Sequence, residues 1–261
     1  MNVCMAGACG RMGRTIMDLA VAQGHTITAA VDVSSEDGAT LSIGNGALTV
    51  TVTDELESGL AASDVLIDFT HASVCVRNAE IAARLGKPAV IGTTGILEDG
   101  QSTIAALAET IPIVLAPNMS VGVNLLFKLT SEVARILGLD YNVEIVETHH
   151  NQKEDSPSGT AVRLAERAAD ALGLKYPADA AHGREGQVGK RPVREIGVHA
   201  LRGGDVAGEH SVGFIGNGET IELRHRAHNR DNFASGAIRA AAFATGAKPG
   251  LYDMQDVLGL K

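Results

Sequence analysis

Two histidines and a lysine, His149, His150 and Lys153, come directly before a segment with helical periodicity. An imidazole titrates near neutral pH and can give or take a proton, whereas an ammonium group stabilises negative charge. Ser158 is a suitable N-cap for the helix, and the backbone N–H groups at a helix start attract anions. The spacing of these residues therefore predicts a pocket that binds a carboxylate and transfers a proton.

The segment before this cluster reads as a strand. Tyr141–Thr148 alternates apolar and polar residues, with Glu147 on the face of the apolar ones. A strand that continued through the cluster would direct His149 and His150 to opposite faces. Both histidines can therefore line one pocket only if the strand has ended before them.

The segment after the cluster reads as a helix. Its apolar residues recur at helical spacing: Ala161, Leu164, Ala168 and Leu172. Pro157 and Ser158 stand where a helix start is expected. We expect the N–H groups of Gly159, Thr160 and Ala161 to be free and to point into the turn, where they would bind an anion.

A second arrangement with chemical meaning opens the chain. The apolar strand Val3–Ala6 runs into Gly7-Ala-Cys-Gly-Arg-Met-Gly13, a helix follows over Arg14–Gln23, and a second strand, Ile27–Val31, ends at Asp32. Strand, glycine turn, helix, strand and acid, in this order, are the parts of a dinucleotide-binding unit. The candidate cofactor residues here are Gly7, Ala8, Cys9, Gly10, Arg11, Met12 and Asp32.

The glycine spacing departs from the usual pattern of this unit. Cys9 takes the place of the middle glycine, and Gly10 is expected to allow the close approach of a pyrophosphate instead. Cys9 is expected to be a small buried residue. Asp32 would hydrogen-bond the ribose hydroxyls and repel a 2′-phosphate, which favours NADH, whereas Arg11 could accept that phosphate from NADPH.

Strands and helices continue to alternate up to residue 115. Strands at Val65–Phe69, Ala89–Ile91 and Ile111–Leu115 are separated by helices at Ala72–Leu85 and Leu97–Glu109, which predicts a parallel sheet. Ligands gather beyond the carboxyl ends of the strands in such sheets. Three such ends could hold the nicotinamide ribose and carboxamide: Asp68-Phe-Thr70, Gly92-Thr-Thr94 and Ala116-Pro-Asn-Met119. The last two supply further candidate cofactor residues: Gly92, Thr93, Thr94, Ala116, Pro117, Asn118 and Met119.

The second half of the chain predicts a different sheet. Val193–Leu201, Val206–Phe214 and Thr220–Ala227 are strand-like and would join Tyr141–Thr148 in a four-stranded mixed sheet. One face of this sheet would be covered by helices and the other would form an oligomer interface. The fold class is therefore α/β: a Rossmann-like parallel sheet domain plus a second α+β domain with a four-stranded mixed sheet.

Two stretches outside these elements read as irregular. Residues 36–63 are rich in Gly, Ser and Thr, with a hairpin at Ala47–Thr53, and no chemistry is assigned to them. The loop Lys175–Lys190 is long for a compact domain, so it is expected to be functional or part of an interface.

The segment Glu144-Ile-x-Glu-x-His149-x-x-x-Lys153-x-Asp-x-Pro-Ser-Gly-Thr-Ala161 resembles the signature of the dihydrodipicolinate reductases, more fully the 4-hydroxy-tetrahydrodipicolinate reductases. The resemblance spans nearly the whole chain and is most specific at residues 7–13 and 144–161. It implies NAD(P)H-dependent reduction of 4-hydroxy-tetrahydrodipicolinate to tetrahydrodipicolinate, in the diaminopimelate route of lysine biosynthesis. It also implies that His149 and Lys153 are the acid–base pair and that His150, Gly159 and Thr160 hold the dicarboxylate substrate.

The same resemblance implies how the chain is organised. The last helix, Asn232–Thr245, would return to the nucleotide domain. That domain would comprise residues 1–120 and 230–261, and residues 121–229 would form the substrate-binding and oligomerisation domain. The assembly implied is a homotetramer built through the second-domain sheet.

Composition excludes several other classes of partner. The net charge is −9, from 22 basic and 31 acidic residues, which disfavours binding to nucleic acid or to an anionic membrane. No run of about 18 apolar residues occurs, so no membrane span is predicted. The N-terminus lacks the pattern of a secretory signal, and three cysteines suit a reducing compartment, so a cytoplasmic protein is predicted.

Three alternative functions make different predictions. Another two-domain nicotinamide dehydrogenase, acting on an amino acid or semialdehyde, would carry an active-site cysteine or a differently placed lysine. A non-catalytic dinucleotide sensor would bind NAD(H) without substrate-dependent oxidation. His149 and His150 as metal ligands would make activity sensitive to chelators, but no HExxH spacing is present and the cysteines lie far away in sequence, so no metal is predicted.

Overall fold

The structure is a computed structural model that describes residues 1–261, apart from the side chain of Ser34. The chain forms two compact units. The first comprises Met1–Val121 and Arg230–Lys261, and the second comprises Gly122–Asn229. Within the described part of the chain, no helix has both the length and the apolar character needed to cross a membrane.

The first unit is built on an eight-stranded sheet. With strands numbered along the whole chain, its members are β1 (Asn2–Ala6), β2 (Thr26–Val31), β3 (Thr40–Ile43), β4 (Leu48–Thr53), β5 (Val65–Asp68), β6 (Ala89–Ile91), β7 (Pro112–Leu115) and β13 (Gly250–Tyr252). Their order is β13-β7-β6-β5-β1-β2-β4-β3, and every neighbouring pair is parallel except β3 with β4. The carboxyl ends of β1, β2, β5, β6 and β7 therefore meet at one edge.

Helices cover both faces of this sheet. They are α1 (Arg11–Ala22), α2 (Leu56–Ala61), α3 (Ala72–Arg84), α4 (Glu98–Leu107), α7 (Asp231–Gly246) and α8 (Met254–Val257). Alternate residues of each strand enter opposite cores: Val3 and Met5 pack with α1, α7 and α8, whereas Cys4 and Ala6 pack with α2, α3 and α4. The predicted parallel sheet with helices is confirmed.

Some short elements of this unit were not predicted. The hairpin predicted at 47–53 begins earlier, because β3 pairs antiparallel with β4 and extends the sheet. Residues 36–63 are also more ordered than expected in that α2 packs its Leu56 and Leu60 into the core. The final strand β13 pairs with β7 and is three residues long. Segments this short have too few residues to show a hydrophobic periodicity.

The second unit has its own sheet and core. Its strands are β8 (Asn142–His149), β9 (Ala180–Ala181), β10 (Ile196–Arg202), β11 (Glu209–Ile215) and β12 (Thr220–Arg226), and its helices are α5 (Val121–Leu137) and α6 (Gly159–Leu172). The sheet has five strands in the order β12-β11-β8-β10-β9, with β8 at the centre. The expected count of four was wrong, because the two-residue β9 lies within the predicted loop 175–190 and pairs with β10.

One face of this second sheet is apolar and covered. Val143, Ile145, Val198, Val212 and Phe214 are buried against the two helices. The opposite face of the sheet, which we call the open face, is partly exposed; its residues include Glu144, His199, Ser211, Glu222 and Arg224. Alternation along β8 thus separates a packed side from an uncovered one.

Candidate active site

The glycine turn after β1 depends on two of its three glycines for folding. Gly7 has a φ of +83°, and a Cβ there would lie 2.5 Å from the carbonyl oxygen of Phe69. A Cβ on Gly13 would lie 2.1 Å from the carbonyl oxygen of Gly7, so α1 can pack against the turn only without a side chain. At Gly10, the N-cap of α1, a Cβ would meet only the Gly7 oxygen, at 3.3 Å. Packing within the protein therefore does not by itself require glycine at position 10.

Asp32 connects this turn to β2. Its carboxylate accepts the N–H of Cys9 at 2.7 Å and the N–H of Val33 at 2.8 Å. Both N–H groups of the preceding residues Gly7 and Ala8 donate to the carbonyl of Val31. The acid at the strand end is thus fixed next to the glycine turn.

A cavity of about 590 Å³ opens beside Asp32 within the first unit. Five carboxylates line it: Asp32, Glu36, Asp54, Glu55 and Glu57. Gly7, Cys9 and Gly10 form another part of its wall, and Phe69 and Arg77 also line it. The volume lies in the range of small-molecule sites, and the acidic lining disfavours an additional phosphate.

The three other turn residues contribute in different ways. Ala8 is fully buried, so it can meet a ligand only through its backbone. Arg11 is exposed at the first position of α1, and Met12, next to it, packs partly against the core. The turn therefore offers one cation, at its outer edge.

Asp68 organises the next part of the same edge. Its fully buried carboxylate accepts the hydroxyls of Thr70 and Thr93, at 2.7 and 2.9 Å, and the Asn78 amide at 2.7 Å. The Thr93 hydroxyl is therefore already engaged in the protein, and Thr94, which is exposed, is the hydroxyl available to a ligand. A Cβ on Gly92, the residue before Thr93, would lie 2.3 Å from the Phe69 ring, so this turn is held close to the end of β5.

The segment after β7 completes the edge. The Ala116 N–H donates to the Ile91 carbonyl, and Pro117 is exposed. Asn118 accepts the N–H of Ser120 at 2.9 Å. Met119, another of the candidate cofactor residues, is only 2% exposed, and its side chain belongs to the unit's core. Its carbonyl group packs closely on Gly236 of α7.

The cysteines do not form a nucleophilic site. Burial raises the pKa of Cys4 to about 12 and that of Cys75 to about 11. Burial also raises the pKa of Cys9, which is half-buried rather than fully buried as expected, and the Asp32 carboxylate acts in the same direction. All three thiols stay protonated at neutral pH, which disfavours a dehydrogenase with a catalytic cysteine.

In the second unit, the inner face of β8 changes from apolar to polar at its last turn. After Val143 and Ile145 come Glu147, whose side chain is fully buried, and His149. His149 Nδ1 lies 2.6 Å from Glu147 Oε2. The strand ends at His149. The direction of the His150 side chain is therefore set by the following turn and not by the alternation of the strand.

Charged and polar groups from other elements surround this pair. Arg202 of β10 donates to both oxygens of Glu147, at 2.8 and 2.9 Å. The ring of His210, from β11, meets the His149 ring edge-on at a centroid distance of 5.2 Å. Burial lowers the pKa of His210 to about 3, so this ring is neutral. Its Nε2 lies 3.0 Å from the Ser158 hydroxyl.

The protonation of His149 reflects opposing effects. Burial lowers its pKa from the ordinary value of 6.5, and the cations Lys153 and Arg202 act in the same direction. The hydrogen bond to Glu147 raises it but does not outweigh burial. His149 of the free protein is therefore mostly neutral at pH 7, with its Nδ1–H directed to Glu147.

The turn between β8 and α6 carries the remaining predicted residues. The His150 N–H donates to the Val206 carbonyl, and the Lys153 N–H donates to the His150 carbonyl. The Lys153 ammonium lies 2.7 Å from Asp155 Oδ1, and its side chain is 20% exposed. Short backbone links therefore hold His149, His150 and Lys153 in one corner of the second unit.

The start of α6 differs from the expectation in one respect. Ser158 is its N-cap, as predicted, and its hydroxyl accepts the N–H of Ala161 at 3.2 Å. That N–H is therefore not free for an anion. Gly159 and Thr160 open the helix, and a Cβ on Gly159 would meet no heavy atom within 4 Å, so its backbone stands clear.

Sequence reasoning missed Arg202 and His210 and gave Glu147 no role. Arg202 and His210 approach the cluster only through strand pairing, because Arg202 lies opposite His149 and His210 lies opposite Glu147. One signal was available at Glu147, since an acid on the apolar face of a central strand needs buried partners. Across the described residues, no group of three or more His, Cys, Asp or Glu side chains is arranged to hold a metal ion.

Both halves of the chain match models of one family. Residues 1–119 match the model described as dihydrodipicolinate reductase, N-terminus, and residues 122–258 match dihydrodipicolinate reductase, C-terminus. The 4-hydroxy-tetrahydrodipicolinate reductase of Syntrophotalea carbinolica is 51% identical over 265 residues, covering 100% of this chain and 99% of the relative. The enzyme of the same name from Anaeromyxobacter sp. strain Fw109-5 is 52% identical, covering 100% and 98%.

Solved structures share the fold. The dipicolinate-bound dihydrodipicolinate reductase from Paenisporosarcina sp. TG-14 has a TM-score of 0.77 at 24% identity, covering 98% of each chain. Aspartate semialdehyde dehydrogenase II from Vibrio cholerae has a TM-score of 0.54 at 13% identity, covering 93% of this chain and 97% of that one, so the fold extends to other dehydrogenases. The shared fold alone does not distinguish these enzymes, but the two family models and the relatives that match over the whole chain do. The chain belongs to the dihydrodipicolinate reductase family.

Proposed function

We propose that the first unit binds NADH and that the second unit binds the substrate and protonates it with His149 and Lys153. The reaction is that of the family, in which 4-hydroxy-tetrahydrodipicolinate is reduced to tetrahydrodipicolinate by a pyridine nucleotide in lysine biosynthesis. The observation that carries the residue assignment is the Glu147–His149 pair, which lies beside Lys153 and the start of α6.

The chemistry requires a proton and a site for negative charge. Loss of the substrate hydroxyl as water leaves a conjugated C=C–C=N system, and bound NADH supplies the hydride that adds to its carbon end. The electron pair moves towards the ring nitrogen, and the resulting enamine takes up one proton. His149, as its imidazolium, gives that proton through Nε2, and the Lys153 ammonium stabilises the developing charge.

The substrate's two carboxylates need positive partners. His150, Gly159 and Thr160 hold them, the latter two through the start of α6, where the helix dipole favours an anion. Arg202 is committed to Glu147 by two hydrogen bonds, so it contributes charge to the corner without contacting the substrate.

For the cofactor, we propose that NADH is preferred. Asp32 accepts the ribose hydroxyls, and the other four carboxylates of the cavity repel the 2′-phosphate of NADPH. The remaining contacts come from one edge of the first sheet: Gly7, Ala8, Cys9, Gly10, Arg11, Met12, Gly92, Thr93, Thr94, Ala116, Pro117, Asn118 and Met119. Of these, Ala8, Thr93, Ala116 and Met119 act through their backbones, because their side chains are buried.

The Asp32→Asn variant tests this preference. We expect the ratio of kcat/KM for NADH to that for NADPH to fall about tenfold, which is the effect of about 1.4 kcal/mol, because the repulsive charge at the ribose is removed. Initial rates with each nucleotide measure the ratio. Asp37→Asn removes the same charge from an exposed position five residues further along the chain and is expected to leave the ratio unchanged. Equal ratios in the parent protein and Asp32→Asn would refute the role of Asp32.

The pH dependence of turnover tests the role of His149. Only the imidazolium gives a proton, and burial lowers the pKa of the free group, so kcat/KM is expected to fall as the pH rises through a value below 6.5. The substrate's carboxylates raise the pKa in the complex, so kcat is expected to fall at higher pH than kcat/KM. Initial rates from about pH 5 to pH 9 separate the two limbs. If kcat and kcat/KM fell at the same pH, His149 would not be a proton donor that gains its charge on substrate binding.

We also propose that four chains assemble through the open face of the second sheet and that the protein works in the cytoplasm. The open face is polar and carries ion pairs such as Arg224 with Glu209. Three free cysteines suit a reducing compartment. Sedimentation equilibrium tests the assembly, since a tetramer has four times the chain mass of 27.0 kDa.

The decisive test is an NADH-oxidation assay at about 340 nm with freshly condensed aspartate semialdehyde and pyruvate as the source of substrate. Substrate-dependent oxidation by the purified chain supports the proposal. NADH binding without oxidation would identify a dinucleotide sensor instead.

A further inference from the structure

Glu147 is a buried carboxylate with four hydrogen-bond donors. Its Oε1 accepts the Ser158 N–H at 3.0 Å and Arg202 at 2.9 Å, and its Oε2 accepts His149 at 2.6 Å and Arg202 at 2.8 Å. Burial opposes ionisation, but these bonds outweigh it and lower the pKa of Glu147. The group is therefore a fixed negative charge at neutral pH, balanced by one guanidinium.

The first consequence concerns the His149 ring. Because Nδ1–H is held by Glu147, Nε2 is the nitrogen left to exchange a proton. A Cβ on Gly208 would lie 3.0 Å from this Nε2, so glycine there keeps the exchanging edge of the ring clear. The Glu147 carboxylate thus sets both the orientation and the tautomer of the His149 ring.

The second consequence concerns the helix that faces the substrate. Ser158 is the N-cap of α6, and its N–H is bonded to the other oxygen of Glu147. The carboxylate that orients His149 therefore also fixes where α6 begins. Neither His149 nor the first turn of α6 can shift without breaking a charge-assisted bond.

We infer that Glu147 is a positioning residue that joins the proton donor His149 to the carboxylate-binding start of α6, with Arg202 as its counter-charge. This inference rests on the proposed roles of His149 and α6. It adds that proton transfer and substrate orientation are set by the same buried group. A change at Glu147 should therefore alter kcat through His149 and KM through α6.

A matched control lies on the same strand. Glu144 is also a glutamate of β8 bonded to a histidine and to arginines: His199, Arg184 and Arg191. It lies on the open face, and burial raises its pKa but the arginine and histidine bonds lower it to about 2. Loss of its charge should lower stability without touching His149.

The experiment compares Glu147→Gln, Glu144→Gln, His149→Gln and the double variant Glu147→Gln with His149→Gln. We expect Glu147→Gln to reduce kcat about 10- to 100-fold and to move the kcat limb to lower pH, because the imidazolium loses its carboxylate. In the His149→Gln background the same change should not lower kcat further, while its effect on the substrate KM should persist. Glu144→Gln should leave the pH of the limb unchanged.

A variant that removes the positive charge of the pair keeps the test informative if Glu147→Gln fails to fold. Arg202→Gln leaves the Glu147 charge unbalanced, so the kcat limb is expected to move to higher pH. The charged and titratable groups that act on His149 are Glu147, Arg202, His210 and Lys153. Of these, only Glu147 and Arg202 are changed, and they predict shifts of opposite sign.

Two results would overturn the inference. The first is that Glu147→Gln lowers kcat by the same factor whether or not His149 is present. The second is that kcat falls at the same pH as in the parent protein in both Glu147→Gln and Arg202→Gln. A parent protein that does not oxidise NADH with the condensed substrate would instead refute the proposed function itself, so the two failures are distinguishable.

Discussion

The Lys153→Met variant is expected to lose turnover about a thousandfold while binding NADH as the parent protein does. Methionine keeps much of the side-chain length but removes the charge that stabilises the reduced ring. Lys153 lies in the second unit, whereas Asp32 and the glycine turn lie in the first, so cofactor affinity should not change. Stopped-flow turnover and fluorescence titration of NADH measure the two quantities.

Asp155→Asn is the control for this variant. It removes the partner of the Lys153 ammonium but keeps the ammonium itself, and the Asp155 side chain is 62% exposed. We expect a small change in kcat, because an exposed ion pair contributes little. If Lys153→Met lowered NADH affinity as strongly as turnover, the lysine would be acting on the cofactor and the assignment would be wrong.

The second large effect is expected at Gly13. In Gly13→Ala, the new Cβ would lie 2.1 Å from the Gly7 carbonyl oxygen and 2.9 Å from the Ala8 Cα, both of them backbone atoms. Since α1 must move away from the turn, we expect a loss of about 3 kcal/mol in stability. The corresponding fall in Tm is roughly 6–12 °C. Differential scanning calorimetry measures it.

Gly10→Ala separates folding from cofactor binding. Its Cβ would meet one protein atom, at 3.3 Å, and its backbone φ of −69° suits alanine. We therefore expect a Tm close to that of the parent protein but about tenfold weaker NADH binding, because the methyl group would stand between the helix start and the pyrophosphate. An unstable Gly10→Ala protein or unchanged NADH affinity would refute this division of roles.

The sequence predicted best what is local. Strand β8 was predicted at 141–148 and is observed at Asn142–His149, because alternation is a property of neighbouring residues. Helix α7 was predicted at 232–245 and is observed at Asp231–Gly246, within one residue at each end. His149, His150 and Lys153 were found because all three lie in one continuous stretch of chain.

The surroundings of these residues could not be predicted in the same way. Arg202 is 55 positions from Glu147, and His210 is 52 positions from Ser158. Whether they meet depends on the pairing of β10 and β11 with β8, where a slip of one residue would direct them to the other face. The capped N–H of Ala161 depends likewise on a hydroxyl rotamer of Ser158, which periodicity does not specify.

The way the chain is divided affects how it is made. Helix α7 supplies buried alanines to the core beneath β5, β6 and β7, yet it follows the whole of Gly122–Asn229 in sequence. A ribosome therefore finishes the inserted unit, with its complete core, before it delivers the helix that closes the first one. During synthesis, the nucleotide-binding half therefore lacks the cover of α7 over β5, β6 and β7, although α1 already packs on the same side of β1 and β2. The apolar surface left exposed there favours aggregation until α7 is added.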